Sequence, residues 1–560
     1  MKLNNVLNKK MLAVLASSFL LCGCEDFLTN DHPTGITDED FWKTQDECNS
    51  ALGACSVWPG GSYYYDPPYM ALMHMEGMTD NMHWAGNFKG EIAQIGNGTA
   101  TATTGGYMSD FWSDFYKRIR RCNRFLEHVN SAYFIDEKER ERMIAEAKTW
   151  RAWHHMRLLM YYGYHDGIPI VDKSLNGTEI YKGRNSVDEV LDFINKDLDE
   201  VIAITDKDVF PWVFDDSRRS RMCRSYALML KIDANLQFKR YDVAKEACKK
   251  FFTLNEEAKS GGMGYELYYD PDMSKDDVGR HYSGMFTYVG HKNKEFIIYK
   301  GSGASEAWFR NAPQSLSGQG AAGVLKSLVD EYETAEGVAL KDLPADERTK
   351  FEHDPLCKPR DPRLYATVIV PNDNTSISGF EYKPFEDGGA NNVGTVGAVK
   401  TGYILKKFLD EEDRSHPAGG SLIYPYYRYA EVLLDYVECL VETGEWQNAD
   451  VEKYINMIRN RAGMPNMNKA VYNTQEKVRE LYRRERRVEF TFEGKRYWDI
   501  RRWGIGNETM NGPALGAYNP KTNNYVRLEN RTCTFPKYDA WPLPQDELNS
   551  NPNIEQTSGW

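Results

Sequence analysis

Little in this chain carries the usual marks of metal, nucleotide or acyl-transfer chemistry. Its eleven histidines form no His-Glu-x-x-His pair, and its ten cysteines form neither Cys-x-x-Cys nor a zinc spacing. Gly-x-Ser-x-Gly does not occur, so a strand-elbow serine hydrolase has no support. Basic residues are in deficit: 69 Lys and Arg face 82 Asp and Glu, a net charge of −13. Such a surface neither neutralises nucleic-acid phosphates nor docks on anionic lipid. Long apolar runs are scarce as well. The run from Met11 to Leu21 is about half the ~20 residues that a spanning helix needs.

What is present is a globular composition, 41% hydrophobic and 27% charged, with a surplus of rings: 35 Tyr and 13 Trp. Most must be core. The excess leaves room for several at the surface, where a flat apolar face with a polar handle can stack on a sugar ring.

The leader is specific. Lys2, Lys9 and Lys10 precede the short apolar run, and Leu21-Cys22-Gly23-Cys24 closes it. A basic start, a short greasy core and a small residue before the cut describe a secretory signal over residues 1–23. Leu21 to Cys24 resembles a bacterial lipobox, whose last cysteine becomes the lipidated N-terminus. Glu25 and Asp26 follow at once, similar to a surface-export signal in Gram-negative lipoproteins. Cleavage before Cys24 removes three lysines and no acids, so the net charge moves to −16. Acyl chains contribute roughly 0.8 kcal/mol per buried CH₂, so Cys24 would anchor the chain without a spanning helix. The eight cysteines beyond it are expected to be buried free thiols, with one or two disulfides in an oxidising compartment as the alternative.

Residues 25–36 read as a tether. Thr44 and Glu47 form a capping box opening a helix to about Cys55, and Ser186 and Glu189 form another opening Ser186 to Ile204. Helices are expected at Asp110 to Ala132, Asp136 to Tyr164, Arg219 to Phe238 and Tyr241 to Phe252, with a lone helix at 474–493. Helical pairs fall near 109–164, 186–238, 217–253 and 424–462. Tyr226 to Arg240 followed by Tyr241-x-x-Ala244 looks like Tyr429 to Glu445 followed by Trp446-x-x-Ala449. Helix, tight turn and aromatic-x-x-Ala helix resembles the tetratricopeptide unit. The chain is thus expected to be mainly α: a tetratricopeptide-like helical-pair scaffold near 109–253 and 424–494. A loop-rich irregular half near 56–108 and 254–420 carries short strands at Glu295–Tyr299 and Leu364–Val370. Its one clear helix is expected at Gly323 to Tyr332.

Gly318-x-Gly320-x-x-Gly323 matches the dinucleotide spacing but follows no strand, and reads as a loop leading into a helix. In Glu485 to Asp499, Glu485 and Glu489 share the apolar face with Val478, Leu481 and Phe492, which turns both inward. Buried carboxylates must be paired. Arg486, Arg496, Arg501 and Arg502 are the expected partners, in a structural network rather than an acid/base couple.

Taken in order, several motifs resemble those of the SusD/RagB family of surface lipoproteins over essentially the whole mature chain. They are Cys24-Glu25-Asp26-Phe27-Leu28, Glu146-Ala147-Lys148 through Tyr162-Gly163 with Ile168-Pro169, Arg360-Asp361-Pro362-Arg363, Gly402-Tyr403 and Arg428-Tyr429-Ala430-Glu431. Arg459-Asn460-Arg461-Ala462-Gly463, the Glu485–Trp503 block, Trp541-Pro542-Leu543-Pro544, Asn551-Pro552-Asn553 and Gln556 to Trp560 complete the set. The resemblance implies a single domain over residues 37–560, with four helical pairs behind an irregular ligand-bearing face. It implies a non-catalytic protein without cofactor that binds a glycan and sits as a lid on a TonB-dependent, SusC-like outer-membrane transporter. A surface glycoside hydrolase and a peptide-binding lid of the same fold are the alternatives.

Family ligand residues do not transfer by motif, so the candidates come from this chain. Glycan capture needs flat rings flanked by amide, carboxylate or Arg groups that take two hydroxyls at once. Trp58, Tyr63, Tyr64, Tyr65, Asp80, Asn81, His83 and Trp84 in the first irregular stretch offer that combination, as do Trp308 and Arg310 in the second. The two stretches are expected to meet on one face.

Overall fold

A computed structural model describes residues 41–56, 73–85, 90–214, 221–272, 279–301 and 304–560. Ten helices form the frame: α1 (Gln45–Cys55), α2 (Tyr107–His128), α3 (Glu137–Tyr162), α4 (Val187–Ile202), α5 (Arg224–Gln237), α6 (Tyr241–Lys259), α7 (Tyr429–Glu442), α8 (Ala449–Arg461), α9 (Gln475–Glu489) and α10 (Arg496–Trp503). Their starts are chemically marked. The Thr44 and Ser186 hydroxyls accept from Glu47 N and Glu189 N, and each Glu reaches back to the cap backbone. The Asp136 carboxylate takes Lys138 N at 2.9 Å.

Neighbouring helices pack in sequence, α2 on α3, α3 on α4, α4 on α5 and α5 on α6, and α6 then meets α7. The two look-alike segments therefore lie against each other. Ala244 and Cys439 are fully buried together with Leu236, under Tyr241. The small alanine is what lets the pairs approach closely. α6 runs one to two turns past the expected Phe252, because Asn255 inside it clamps Tyr265, donating to its carbonyl at 2.8 Å and accepting from its N–H at 2.7 Å.

Beside shorter helices such as Gly90–Asn97 and Ala345–His353, the described part holds eight strands: β1 (Met82–Trp84), β2 (Phe296–Lys300), β3 (Ala322–Val324), β4 (Val368–Ile369), β5 (Ile404–Leu405), β6 (Tyr424–Arg428), β7 (Asn511–Asn519) and β8 (Asn524–Thr532). β1, β3, β5 and β4 form one antiparallel sheet in that order; β2 pairs with β6, and β7 with β8. One hydrophobic cluster runs from Trp42 to Ile554. No described helix is long and apolar enough to cross a membrane. All eight described cysteines are free thiols, seven of them buried.

Three local expectations are corrected, and one element is new. Gly323 to Tyr332 is not one helix: Gly323 lies in β3, and only Lys326–Val329 turns helical. A Cβ at Gly323 would lie 2.5 Å from the Thr401 methyl, so glycine is what admits the next segment of the sheet. The glycine-rich motif thus leads into a strand. Leu364 to Val370 is mostly helix, because Asp361 caps a turn with Pro362 at its first position; strand remains only at β4. Tyr424 to Arg428 belongs to β6, held against β2 across more than a hundred residues of chain, and not to the helical pair. The β7–β8 hairpin was not anticipated; its signal is Tyr518-Asn519-Pro520 through Asn523-Asn524-Tyr525, a turn-rich insert between two rings.

Candidate functional site

The irregular stretches do meet. Met82 pairs with Val324 and Trp84 with Ala322 across β1 and β3. Ala85 N donates to Ala321 O at 2.8 Å, Ala321 N to Arg310 O at 3.0 Å, and Gln319 N to Phe309 O at 2.7 Å. Asn311 Nδ2 reaches Met73 Sδ at 3.8 Å. Residues 73, 85 and 304–321 are therefore fastened to one another. Trp58, Tyr63, Tyr64 and Tyr65 lie outside the described residues.

Four of the expected ligand residues are instead core. Trp308 is fully buried beside Leu316, Ile369, Tyr382 and Val399, and its Nε1 donates to Leu316 O at 2.6 Å. Trp84 is 3% exposed and packs on His74, ring centroids 4.4 Å apart. Burial, then the charge of Arg310, holds the His74 imidazole neutral, with its pKa lowered to about 3. Neither tryptophan has a ring face to offer a sugar. Asp80 receives Arg496 Nε and Nη2, each at 2.8 Å, and Arg487 Nη2 lies 2.9 Å away. Burial would raise the Asp80 carboxyl; Arg487 and Arg496 overcome it and hold it below the usual range. Asn81 accepts from Arg487 Nε at 2.9 Å and donates to Glu76 at 2.8 Å. Asp80-Asn81-x-x-Trp84 is thus a fastening of the first stretch to α9 and α10. Its polar groups are consumed by buried arginines, and this explains why it imitates a sugar site in sequence.

Arg310 is only partly accessible, with 12% of its side chain exposed. It donates to Glu306 at 3.0 Å and to Gln319 at 3.1 Å, and its guanidinium lies 5.3 Å from the Phe309 ring centre. Phe309 is half-buried and Gln319 exposed. Within the short helix Ala307–Asn311, consecutive side chains diverge by about 100°, so burying Trp308 turns Phe309 outward. Sequence reasoning passed over Phe309; the helical turn around Trp308 was the available signal. His83 is partly exposed, and burial lowers its pKa despite the nearby Glu529.

Glu485 and Glu489 face inward as expected, but their partners differ. Arg459 donates to Glu485, whose other oxygen lies 3.0 Å from Arg363 Nη2. Glu489 receives Arg428 Nη1 at 2.7 Å, Arg363 Nη1 at 3.2 Å, and Arg461. The expected partners serve elsewhere. Arg486 binds Glu431, Asp435 and Asp499; Arg496 binds Asp80; and Arg502 binds Glu438 and Asp499. Arg501 donates to the carbonyls of Met160 and Asp539. The wider cluster sets Glu295, Glu333, Asp361, Glu485, Glu489 and Glu493 against Arg363, Lys407, Arg428, Arg459, Arg461 and Arg484, six charges of each sign. Burial would raise the Glu489 carboxyl; Arg461, Arg428 and Arg363 more than offset it and hold it well below the usual range. An acid so held cannot deliver a proton near neutrality.

The Arg360–Arg363, Arg428–Glu431, Arg459–Gly463 and Glu485–Trp503 motifs therefore build the interior through their ion pairs, and of the last block Arg487, Arg496 and Trp503 also border an open cleft. Residues 266–560 match the model of the SusD family, and residues 63–213 match a family described as starch-binding associating with outer membrane. SusD-like protein P2 of Formosa agariphila is 25% identical over 98% of this chain and 99% of its own. A crystal structure of a SusD-like carbohydrate-binding protein from Bacteroides fragilis superposes with a TM-score of 0.75 at 26% identity, covering 92% of this chain and all of that one. A second SusD-like structure from the same organism gives 0.75 at 25% identity, over 94% and 99%. With more than half its length inside the SusD model and a helical-pair frame to match, the chain belongs to the SusD family.

Proposed function

We propose that this protein is a non-catalytic glycan-binding lipoprotein of the outer cell surface. Signal cleavage leaves Cys24 as the lipidated N-terminus, residues 24–36 act as a tether, and residues 37–560 form one SusD-like domain. The domain captures an oligo- or polysaccharide and delivers it to a TonB-dependent, SusC-like transporter. The observation that supports the reading is that residues 82–85 of the first irregular stretch pair with residues 321–324 of the second, across β1 and β3. A carbohydrate-binding protein with the same fold supports it.

The ligand-facing groups in this reading are Trp58, Tyr63, Tyr64 and Tyr65 together with Phe309, Arg310 and Gln319. Stacked rings contribute on the order of 1 kcal/mol each beyond burial. A few such contacts give micromolar to millimolar affinity, about −4 to −8 kcal/mol, which suits a protein that must release its ligand to a transporter. Glu485 and Glu489, spent on arginines, support a role without catalysis.

Affinity electrophoresis of the pure protein in a panel of polysaccharide gels tests this. Retarded migration with no new reducing ends is the expected result. Reducing ends would point to a hydrolase, and retention of peptides alone to a peptide-binding lid.

A further inference from the structure

A cleft of about 580 Å³ is lined by residues of 330–352, of α9 and α10, and of 505–509. Its volume falls within the ~300–1,000 Å³ typical of ligand pockets. It lies behind Asp80, since Arg487 and Arg496 line it and reach Asp80 from it. Arg348, Arg483, Arg484, Arg487, Arg496 and Lys341 line the cleft against Asp330, Glu331, Glu352, Glu480 and Glu508. Six cations against five acids leave almost no net charge, so the cleft has no strong field to select an anion. It does set donors beside acceptors, the pattern that adjacent sugar hydroxyls satisfy, because each hydroxyl both gives and takes a hydrogen bond.

Several of these groups are already tied. Lys341 holds Glu480 at 2.7 Å, Arg484 holds Glu333 at 2.7 Å, and Glu352 accepts from Tyr525 at 2.7 Å. Arg483 is not. Its nearest carboxylate oxygen, on Glu442, is 3.7 Å away, and Glu442 already receives Arg479 and Tyr482. Its buried Nε has no hydrogen-bond partner. Its guanidinium lies 4.9 Å from the Trp503 ring centre, and that indole is pinned by a 3.0 Å bond to Glu438. Arg348 is likewise 3.7 Å from Glu352, and Glu331 is 3.5 Å from Arg487. Loosely engaged donors and a loosely engaged acceptor thus share one cleft, with Arg483 pre-oriented on a ring.

We propose that this cleft is a second saccharide site, which takes a neutral sugar unit through Arg483 and Arg348 as donors and Glu331 as acceptor. The proposal rests on the glycan-binding reading above and adds to it a site lined by none of Phe309, Arg310 and Gln319. It is tested by calorimetric titration of the full mature chain with neutral six-unit β-1,3-, β-1,4- and α-1,4-glucans, and with tetragalacturonate as the acidic probe. The combined Trp58→Ala, Tyr63→Ala, Tyr64→Ala and Tyr65→Ala variant should keep a residual neutral-sugar site. Adding Arg483→Gln or Glu331→Gln should weaken that site by about tenfold or more, as expected for lost hydrogen bonds to charged groups. The Glu331→Gln arm covers the case in which Arg483→Gln disturbs the fold. Wild-type titration by both cleft variants, with the aromatic variant losing all binding, overturns the second site and leaves the glycan reading intact. Preference for tetragalacturonate overturns the neutral assignment. Failure of every saccharide to bind the unaltered chain overturns both.

Discussion

Arg428 and Glu489 are joined twice: Arg428 Nη1 donates to the Glu489 carboxylate at 2.7 Å, and Arg428 Nη2 to the Glu489 carbonyl at 2.8 Å. The pair stitches the end of β6 to the last residue of α9, and both side chains are inaccessible to solvent. Charge alone does not make such a pair stabilising, because desolvation costs several kcal/mol per ion. What sustains it is saturation: Arg428 also engages Glu295 and Glu493, and Glu489 also engages Arg363 and Arg461.

Removing one charge should therefore be severe. Glu489→Gln is expected to cost roughly 3–5 kcal/mol, because it leaves buried guanidinium groups uncompensated. Glu485→Gln should act in the same direction. Denaturant titration checks both, and an unchanged midpoint together with lost glycan binding would reverse the structural assignment.

Acid should act through the same cluster. Glu485, Glu489 and Glu493 are held below the ordinary Glu value of 4.5 by arginines that outweigh burial, with Lys407 also acting on Glu493. Their stabilising contribution is thus complete above pH 4.5 and is lost as pH falls toward their lowered folded values. Glu76 has the opposite sense: burial raises it to about 7, so its contribution is present below about 4.5 and fades as pH rises through 7. The melting temperature is expected to drop steeply below pH 4.5. In the Glu489→Gln variant that acid limb should be shallower; an identical pH profile would contradict the linkage.

The tryptophans separate stability from binding. Trp308→Ala and Trp84→Ala should each destabilise the fold by about 3–5 kcal/mol, as large-to-small changes in a core do. Phe309→Ala should leave the melting transition in place and weaken glycan binding by on the order of 1 kcal/mol. Calorimetry beside thermal melts distinguishes the two classes. A folded, fully stable Trp308→Ala variant that fails to bind would restore Trp308 to the ligand face.

Anchoring is expected to depend on one atom. Cys24→Ala should abolish incorporation of labelled palmitate and release the protein from the outer-membrane fraction. A variant that remains lipidated and membrane-bound would move the anchor elsewhere.

The frame was readable because its signals are local. Thr44 with Glu47, and Ser186 with Glu189, mark helix starts within four residues of themselves, and both boxes form as the spacing implies. Tyr241-x-x-Ala244 forms the first turn of α6 as the echo implies, whereas Trp446 stays in the turn before α8, which Asn448 caps at Ala449. The site was less readable because a tryptophan beside a polar residue looks the same at a sugar platform and in a core. Trp308 and Phe309 are adjacent in sequence, and only the packing of Leu316 and Ile369 on one side of their helix decides which ring is hidden.

By itself the sequence determined the class of the molecule. Its capped amphipathic helices and ordered motifs rest on neighbours a few residues apart, where backbone geometry leaves little choice. Tertiary structure alone decided the partnerships. Glu489 took Arg363, Arg428 and Arg461, from 126, 61 and 28 residues away, in place of the arginines beside it. Tyr424 to Arg428 became a strand because β2 lay there to receive it. A buried charge is satisfied by whichever counter-charge packing delivers within reach, and the sequence order does not encode that distance.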